Sequence, residues 1–194
     1  MLPAIRNKKE LSIIFTNELP RYFHKHEINA ILEIVKDDLK KYLLISLLWQ
    51  TGARISEILN LRIKDIDFRA NSIRFITLKR SNRPQRIIPI KGNILGLIGR
   101  YLAQYQLQSN DKLFKFTRQR AHKIVQDATL NANFDKERAH PHIFRHSFAV
   151  HCILNRVPIL VVKNWLGHSN IQNTLIYMQV LGSDTRQFYD ALEF

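Results

Sequence analysis

One region of this chain, residues 65–90, interrupts the helical spacing of its apolar residues, and this interruption restricts the fold more than any other feature. On both sides of residues 65–90, apolar side chains recur every three to four positions, which is the spacing of one helix face. Within this region Ile73, Phe75 and Thr77 share one face of an alternating run, and a second extended run, 86–90, follows a short polar loop. Two such runs indicate a hairpin. We therefore predict an α+β fold that is mainly α, with helices packed around a small antiparallel sheet.

Helical spacing covers most of the rest of the chain. We expect helices in five stretches: residues 28–35, 43–48, 91–107, 117–130 and 143–155. A further helix is predicted from Ser169, because Ser169 and Gln172 have the spacing of a capping box, and it would carry Tyr177. Tyr177 follows His168 by nine residues, a rise of about 13 Å on one straight helix. The two can share a site only if the helix starts late, the ring reaches back or the segment moves.

The chain divides into three parts. Residues 1–20 have weak periodicity and are expected to form an arm or linker, whereas 21–182 form the main domain. The break at Gly182 predicts a short final helix over 183–194, with apolar side chains on one face. A helix this short cannot bury those side chains unaided. It docks either on its own domain or on a neighbouring subunit.

The charge of the chain indicates a polyanionic partner. Thirty Lys and Arg residues against sixteen Asp and Glu give a formal net charge of +14 and an isoelectric point near 10.2. Such a charge attracts DNA, RNA or an anionic membrane. Ten basic and two acidic residues lie between Arg62 and Arg100, and a stretch this dense favours contact with a phosphate backbone.

Several features bear on the cellular compartment. No apolar run approaches the ~18–20 residues that span a bilayer, and the N-terminal segment does not have the form of a signal peptide. The single cysteine, Cys152, cannot form an internal disulfide, which favours a reducing compartment. We expect a cytoplasmic, nucleoid-associated protein with no membrane partner.

Cleavage of a phosphodiester without a metal needs four kinds of group. Positive donors hold the non-bridging oxygens, a nucleophile lies in line, a base takes its proton, and an acid protonates the departing oxygen. Arginine suits the first role because its planar fork matches phosphate oxygens and stays charged. The second half of the chain holds arginines, histidines and tyrosines for these roles, and their combined spacing is more informative than any one of them.

Three runs of residues carry a resemblance to a known family. They are TGARISEILNLR (51–62), HPHIFRHSFA (140–149) and WLGHSNIQNTLIY (165–177). In this order they resemble the three motifs of the tyrosine recombinase (phage integrase) family. Together with the hairpin, the similarity covers about residues 20–180.

The resemblance implies a role for five side chains. Arg54 and Arg145 would clamp the scissile phosphate, and His142 would be the general acid/base that manages the tyrosine proton. His168 would donate to a non-bridging oxygen. Tyr177 would be the nucleophile that forms a 3′-phosphotyrosyl link.

The resemblance also implies roles around the hairpin. Lys79 would protonate the leaving 5′ oxygen, because an ammonium group can give up a proton whereas a guanidinium cannot; a plain phosphate contact is the alternative for Lys79. Arg80, Arg83 and Arg86 are expected to contact DNA. Glu57 would orient the neighbouring catalytic groups, with a purely structural salt bridge as the alternative.

The implied activity is that of a site-specific DNA recombinase in integration, excision, resolution or inversion, for example of a mobile genetic element. It needs no metal and no cofactor. The expected partners are a double-stranded recombination site, further copies of the chain as a dimer or tetramer on DNA, and accessory DNA-bending proteins. The resemblance also favours a neighbouring subunit as the docking place of the final helix.

Three other functions stay open as alternatives. A DNA-relaxing or nicking enzyme, topoisomerase-like or relaxase-like, would use the same covalent step and would differ only in its products. A DNA-binding accessory protein with a dead site is disfavoured by the complete set of candidate side chains. A metal-dependent nuclease needs clustered carboxylates, and the three motifs supply only Glu57.

Overall fold

The computed structural model describes residues 18–76 and 85–182. Within these residues the α-helices are Lys25–Ile34 (α1), Leu39–Thr51 (α2), Ile55–Asn60 (α3), Gly92–Tyr105 (α4), Arg118–Asn131 (α5), Pro141–Leu154 (α6), Ile159–Leu166 (α7) and Gln172–Leu175 (α8). Short 3-10 helices cover Ile63–Asp65, Lys136–Arg138 and Ile176–Leu181. All five predicted helical stretches lie in helices, whereas α3 and α7 have no counterpart among them.

The strands form one small antiparallel sheet. Ile66–Asp67 (β1), Ser72–Ile76 (β2) and Gln85–Pro89 (β3) lie in the order β1-β2-β3. In the β2–β3 pair, Ile73 lies opposite Ile88 and Phe75 opposite Arg86. Ile73, Phe75 and Ile88 are buried, as the alternation in the sequence requires. The prediction of a mainly α fold with a small antiparallel sheet is confirmed.

Helix α2 is the centre of the core. Residues 43–49 are all buried, so this helix is enclosed on every side rather than along one stripe. It packs against α6 and α4, and α6 in turn packs against the 3-10 helix Ile176–Leu181. The core therefore connects the helix that follows the hairpin with the segments that carry the second and third motifs.

Gly52 ends α2 and turns the chain into the first motif. Its φ of +58° is left-handed, and a Cβ built on it would lie 2.4 Å from Cδ1 of Phe148 on α6. Only glycine meets both conditions without strain. The turn continues to Arg54, which becomes the N-cap residue of α3.

The third motif is also built on a glycine turn. Helix α7 ends at Gly167 with a φ of +67°, and the backbone N–H of His168 donates to the carbonyl oxygen of Lys163 at 3.1 Å. His168 thus lies immediately after the carboxyl end of α7, at a position determined by that helix.

The start of the next helix differs from the prediction. The prediction of a capping box at Ser169 is wrong. Helix α8 begins at Gln172, and the side chain of Asn170 accepts the Gln172 N–H at 3.0 Å. One turn of α-helix and the 3-10 helix Ile176–Leu181 then carry Tyr177. The late start is one of the three ways in which His168 and Tyr177 can share a site.

Some predicted features lie outside the described residues. These are residues 1–17 of the arm expected over 1–20, the hairpin residues Lys79, Arg80 and Arg83, and the final helix over 183–194. In the part of the chain that the structure does describe, no helix combines the length and the apolar character needed to span a bilayer.

Candidate active site

Arg145 ties the three motifs together from the middle of α6. Its Nη1 donates to the carbonyl oxygen of Gly52 at 2.8 Å, and its Nη2 donates to that of Leu166 at 2.7 Å. The first acceptor belongs to the turn before Arg54, and the second lies two residues before His168. The side chain is buried, so Arg145 holds both turns at the bottom of the site.

Two positive charges lie near each other here. Burial and the nearby charge of Arg54 together lower the pKa of Arg145 to about 10, while Glu57 acts in the opposite direction. Arg145 therefore stays charged at neutral pH. Arg54 is the more open of the two arginines, with 33% of its side chain exposed. A pair of arginines, one buried and one reachable from solvent, is suited to binding a phosphate.

Glu57 bonds to Arg54 of the first motif and to Arg86 of strand β3. Its Oε2 accepts the backbone N–H of Arg54 at 2.7 Å, and its Oε1 lies 3.5 Å from Nη1 of the same residue. Burial acts to raise the pKa of Glu57, but the hydrogen bonds and the charges of Arg86 and Arg54 outweigh it and lower the pKa below the ordinary value. Glu57 is therefore ionised at neutral pH and orients both arginines.

Arg86 lies inside the protein rather than on the expected DNA-facing surface. Its Nη1 and Nη2 donate to the two carboxylate oxygens of Glu57 at 2.9 and 2.8 Å, and its Nε donates to the carbonyl oxygen of Trp165 at 2.6 Å. Only 8% of the side chain is exposed. This geometry favours a positioning role for Arg86 over the DNA contact expected from the sequence.

The carboxyl end of α7 is therefore held by two arginines. Arg86 and Arg145 bind the carbonyl oxygens of Trp165 and Leu166, which have no partner within the helix. Gly167 follows directly, and a Cβ on it would lie 3.3 Å from Cδ and Nη1 of Arg86. The close packing of arginine against glycine fixes the backbone from which His168 projects.

His168 faces the arginine pair. Its Nδ1 is 2.9 Å from the hydroxyl oxygen of Thr174, a buried residue on α8. This contact leaves Nε2 as the ring nitrogen that can meet a ligand. Burial, together with the charges of Arg145 and Arg54, lowers the pKa of His168 to about 3. The imidazole is neutral at pH 7 and acts as a neutral hydrogen-bonding group.

His142 lies at the outer rim of the site. It is an exposed residue in the first turn of α6. Partial desolvation, the neighbouring His140 and the charge of Arg145 lower its pKa. Its position at the start of the helix places it between solvent and the buried Arg145.

Tyr177 packs against α6 from the 3-10 helix. Only 2% of the residue is exposed, and burial raises the pKa of its hydroxyl to about 12 although Arg145 acts in the opposite direction. Its Oη is 2.7 Å from Nδ1 of His146. The motifs do not assign His146 a role, yet its place four residues after His142 would have put both histidines on one helix face.

One family model matches nearly all of these elements, and this match identifies the family of the chain. The description of that model is "Phage integrase family", and it matches residues 21–183. The chain belongs to the phage integrase family. The resemblance seen in the three motifs is thus confirmed.

Relatives in this family are named as tyrosine recombinases. The one from Pseudothermotoga lettingae is 32% identical over 193 residues, which cover 97% of this chain and 64% of the relative. Tyrosine recombinase XerC from Staphylococcus epidermidis is 30% identical over 183 residues, or 88% of this chain and 61% of the relative. The chain spans somewhat less than two thirds of the length of these curated relatives.

Solved structures of two Xer recombinases and of one integrase catalytic domain share the fold. The crystal structure of XerA recombinase superposes with a TM-score of 0.77 at 26% identity, covering 92% of this chain and 68% of that one. XerH recombinase bound to its difH substrate before cleavage gives 0.76 at 25% identity, covering 90% and 54%. The catalytic domain of bacteriophage HP1 integrase, with 24% identity and a TM-score of 0.67, shows the same fold over 88% of this chain and 94% of that domain.

A basic groove borders this phage integrase site. It has a volume of about 840 Å³ and runs along the start of α5 to the residues before α6. Its lining residues are Arg118, Gln119, His122, Lys123, Gln126, Lys136, Ala139 and His140. The groove reaches the site because the rings of His140 and His142 are 6.3 Å apart. Among the described residues no group of three or more His, Cys, Asp or Glu side chains is arranged to hold a metal ion.

Proposed function

We propose that this protein is a site-specific DNA recombinase that cleaves and rejoins strands through a 3′-phosphotyrosyl link to Tyr177. One observation carries the proposal: the buried Tyr177 hydroxyl packs against α6, 2.7 Å from Nδ1 of His146, the residue that follows Arg145 of the same chain. A tyrosine next to two arginines that can bind a phosphate is suited to attack on phosphorus.

The arginines bind the scissile phosphate. Arg54 approaches it from the solvent side and Arg145 from below, and the developing negative charge of the transition state is shared between them. His168 donates from Nε2 to a non-bridging oxygen, while Thr174 holds its Nδ1. His142 completes the ring of donors at the rim. Because these groups compensate the charge, the reaction proceeds without a metal and persists in excess EDTA.

Double-stranded DNA is the substrate. The net charge of +14 and the groove lined by Arg118, Lys123 and Lys136 supply a surface for the phosphate backbone that leads up to His142. Arg80 and Arg83 in the hairpin loop add further contacts to the DNA. XerH was solved on its difH substrate, and the same mode of binding fits this chain.

The family resemblance also supports the proposed partners and the proposed roles of Lys79 and of residues 183–194. Lys79 is the acid for the leaving 5′ oxygen. Copies of the protein assemble as a dimer on one site and as a tetramer on two, with accessory DNA-bending proteins where the site requires them. The helix over 183–194 docks on a neighbouring subunit, and the protein is found on the nucleoid.

The experiment that tests the proposal is capture of DNA followed by analysis of products. Protein-linked DNA is isolated from the host genome under denaturing conditions and sequenced, and two copies of the captured site are placed on one plasmid. Exchange between the two copies, giving a deletion or an inversion, is the expected result. Relaxation of a plasmid that carries one copy, without exchange between two, would contradict the proposal and favour a relaxing enzyme.

A further inference from the structure

A histidine outside the assigned set holds the hydroxyl of the nucleophile. His146 Nδ1 is 2.7 Å from Oη of Tyr177, and the two rings are 5.9 Å apart at 47°. This separation lies within the roughly 2.6–3.2 Å at which a general base removes a proton. In the described part of the chain the hydroxyl is bonded to His146 and not to His142, the residue from which the family resemblance led us to expect this role.

The helix geometry explains why His146 meets Tyr177. His142 and His146 are four residues apart and share a face of α6, with a rise of about 6 Å between them. His142 is at the exposed rim, and His146 is one turn further into the protein. The 3-10 helix that carries Tyr177 packs on α6, and Tyr177 contacts this inner turn through His146. The tyrosine hydroxyl therefore enters the site beneath His142, at the level of Arg145 and His146.

The groups that face His146 keep it neutral before DNA binds. Burial and the positive charges of His142, Arg145 and His140 on its own helix lower its pKa to about 4. Tyr177 faces it from the 3-10 helix, and His168 interacts with it from the turn after α7. A neutral imidazole that accepts at Nδ1 carries its proton on Nε2.

Binding of DNA changes this balance. A phosphate held by Arg54 and Arg145 places a negative charge near His146 and offsets the positive charges that depress its basicity. His146 then becomes a stronger base at the stage when Tyr177 must lose its proton. Neutral before binding and more basic after it, the residue is ready to accept a proton only when the substrate is in place.

We propose that His146 is the general base that takes the proton of Tyr177 during strand cleavage, an inference that rests on the function proposed above. The Tyr177 oxygen forms a bond to phosphorus while the bond from phosphorus to the 5′ oxygen breaks. The tyrosine proton moves to Nδ1 of His146, and the departing oxygen takes a proton from the acid assigned to Lys79. In rejoining, the 5′ hydroxyl gives its proton to the deprotonated Lys79 and attacks phosphorus, the bond from phosphorus to the Tyr177 oxygen breaks, and that oxygen takes back the proton that His146 returns.

The test separates a base from a residue that merely positions the tyrosine. His146→Asn keeps an oxygen that can accept the hydrogen bond but cannot take a proton. Covalent adduct formation on a nicked suicide substrate should slow by about 10²- to 10⁴-fold. The measurement is repeated with 3,5-difluorotyrosine at position 177, whose more acidic phenol needs less help from a base. The His146→Asn defect should then shrink by about tenfold or more.

His142→Asn is the matched comparison on the same helix face. Its defect should be the same with tyrosine and with difluorotyrosine, because His142 contacts the phosphate and not the tyrosine proton. Melting temperature and half-site affinity are measured for both variants. If His146→Asn does not fold, His146→Gln is assayed in the same way.

The contrary outcomes are equally distinct. Adduct formation by His146→Asn at the wild-type rate, or a defect that difluorotyrosine leaves unchanged, would reduce His146 to a positioning residue and overturn the proposal. Rescue of His142→Asn instead would assign the proton to His142. Adduct formation by the wild-type protein on captured DNA is measured first. If the wild-type protein forms no adduct, the proposed function itself is overturned.

Discussion

Arg86 and Glu57 meet through two parallel hydrogen bonds, Nη1 to Oε1 at 2.9 Å and Nη2 to Oε2 at 2.8 Å. Their side chains are only 8% and 3% exposed. Because Arg86 also donates to the carbonyl oxygen of Trp165, this ion pair joins the strand after the hairpin loop to the turns that carry Arg54 and His168. The ion pair thus positions side chains from two motifs.

Arg86→Ala should lower the free energy of unfolding by about 3–5 kcal/mol, because it leaves a buried carboxylate without its main partner. Chemical denaturation at pH 7 measures this loss. Lys123→Ala on α5 is the control: Lys123 also binds an aspartate, Asp127, but the two side chains are 60% and 47% exposed. That change should cost less than about 1 kcal/mol. Equal losses for the two variants would contradict the positioning role of Arg86.

Gly52→Ala should destabilise the protein by more than about 2 kcal/mol. The added Cβ would be strained at a φ of +58° and would lie 2.4 Å from Cδ1 of Phe148. Gly96→Ala is the control, since Gly96 is exposed within α4 and a Cβ there meets nothing within 4 Å. It should stabilise the protein by roughly 0.5–1 kcal/mol. Thermal unfolding of both variants checks the pair, and a Gly52→Ala protein as stable as wild type would refute the close packing.

The stability of the DNA-free protein should fall between pH 7 and pH 5. Burial lowers the pKa of His146 to about 4 and that of His168 to about 3, whereas both return to about 6.5 in the unfolded chain. Below pH 6.5 the unfolded chain therefore binds protons that the folded protein does not. Each histidine contributes a loss of up to about 1.4 kcal/mol per pH unit, which levels off only below its folded pKa.

Urea unfolding at a series of pH values measures that slope. The double variant His146→Asn, His168→Asn should have a shallower slope than wild type, because two of the groups responsible are gone. His151→Asn is the control for loss of a histidine on the same helix away from the site, whose pKa burial also lowers. An identical slope for wild type and the double variant would show that these two histidines are not held neutral.

The local features of the site were predictable from the sequence. The glycine turns at Gly52 and Gly167 lie within the motifs, and each leads directly to a candidate site residue, Arg54 or His168. The motifs and the resemblance they carry were therefore enough to predict a common site for Arg54, Arg145, His168 and Tyr177.

Contacts between distant segments were not predictable in the same way. Arg86 was expected on the DNA surface because its partner, Glu57, is 29 positions away, and nothing local to the strand shows a buried carboxylate. His146 was overlooked because its partner lies on a different helix 31 positions later. The Ser169 cap failed for a local reason, since the Asn170 side chain competes for the same backbone donors.

Lys79 lies outside the described residues, and its role as the acid for the leaving oxygen is tested by chemistry. Lys79→Ala should cleave normal DNA slowly, because the 5′ oxygen leaves without a proton. A substrate in which sulfur replaces that oxygen needs no acid, so the variant should cleave it at close to the wild-type rate. Arg80→Ala is the control and should show the same modest defect on both substrates. Equal defects of Lys79→Ala on both substrates would make Lys79 a binding residue.

The covalent bond itself is the most direct test of the account. Wild-type protein and Tyr177→Phe are incubated with the same nicked suicide substrate in EDTA, denatured, digested with nuclease and protease, and analysed by mass spectrometry. The account predicts a nucleotide attached to the peptide that contains Tyr177 in the wild-type sample. The Tyr177→Phe sample should contain no adduct, although the variant still binds the DNA. An adduct on a different residue, or an undiminished yield from Tyr177→Phe, would contradict the assignment of Tyr177 as the nucleophile.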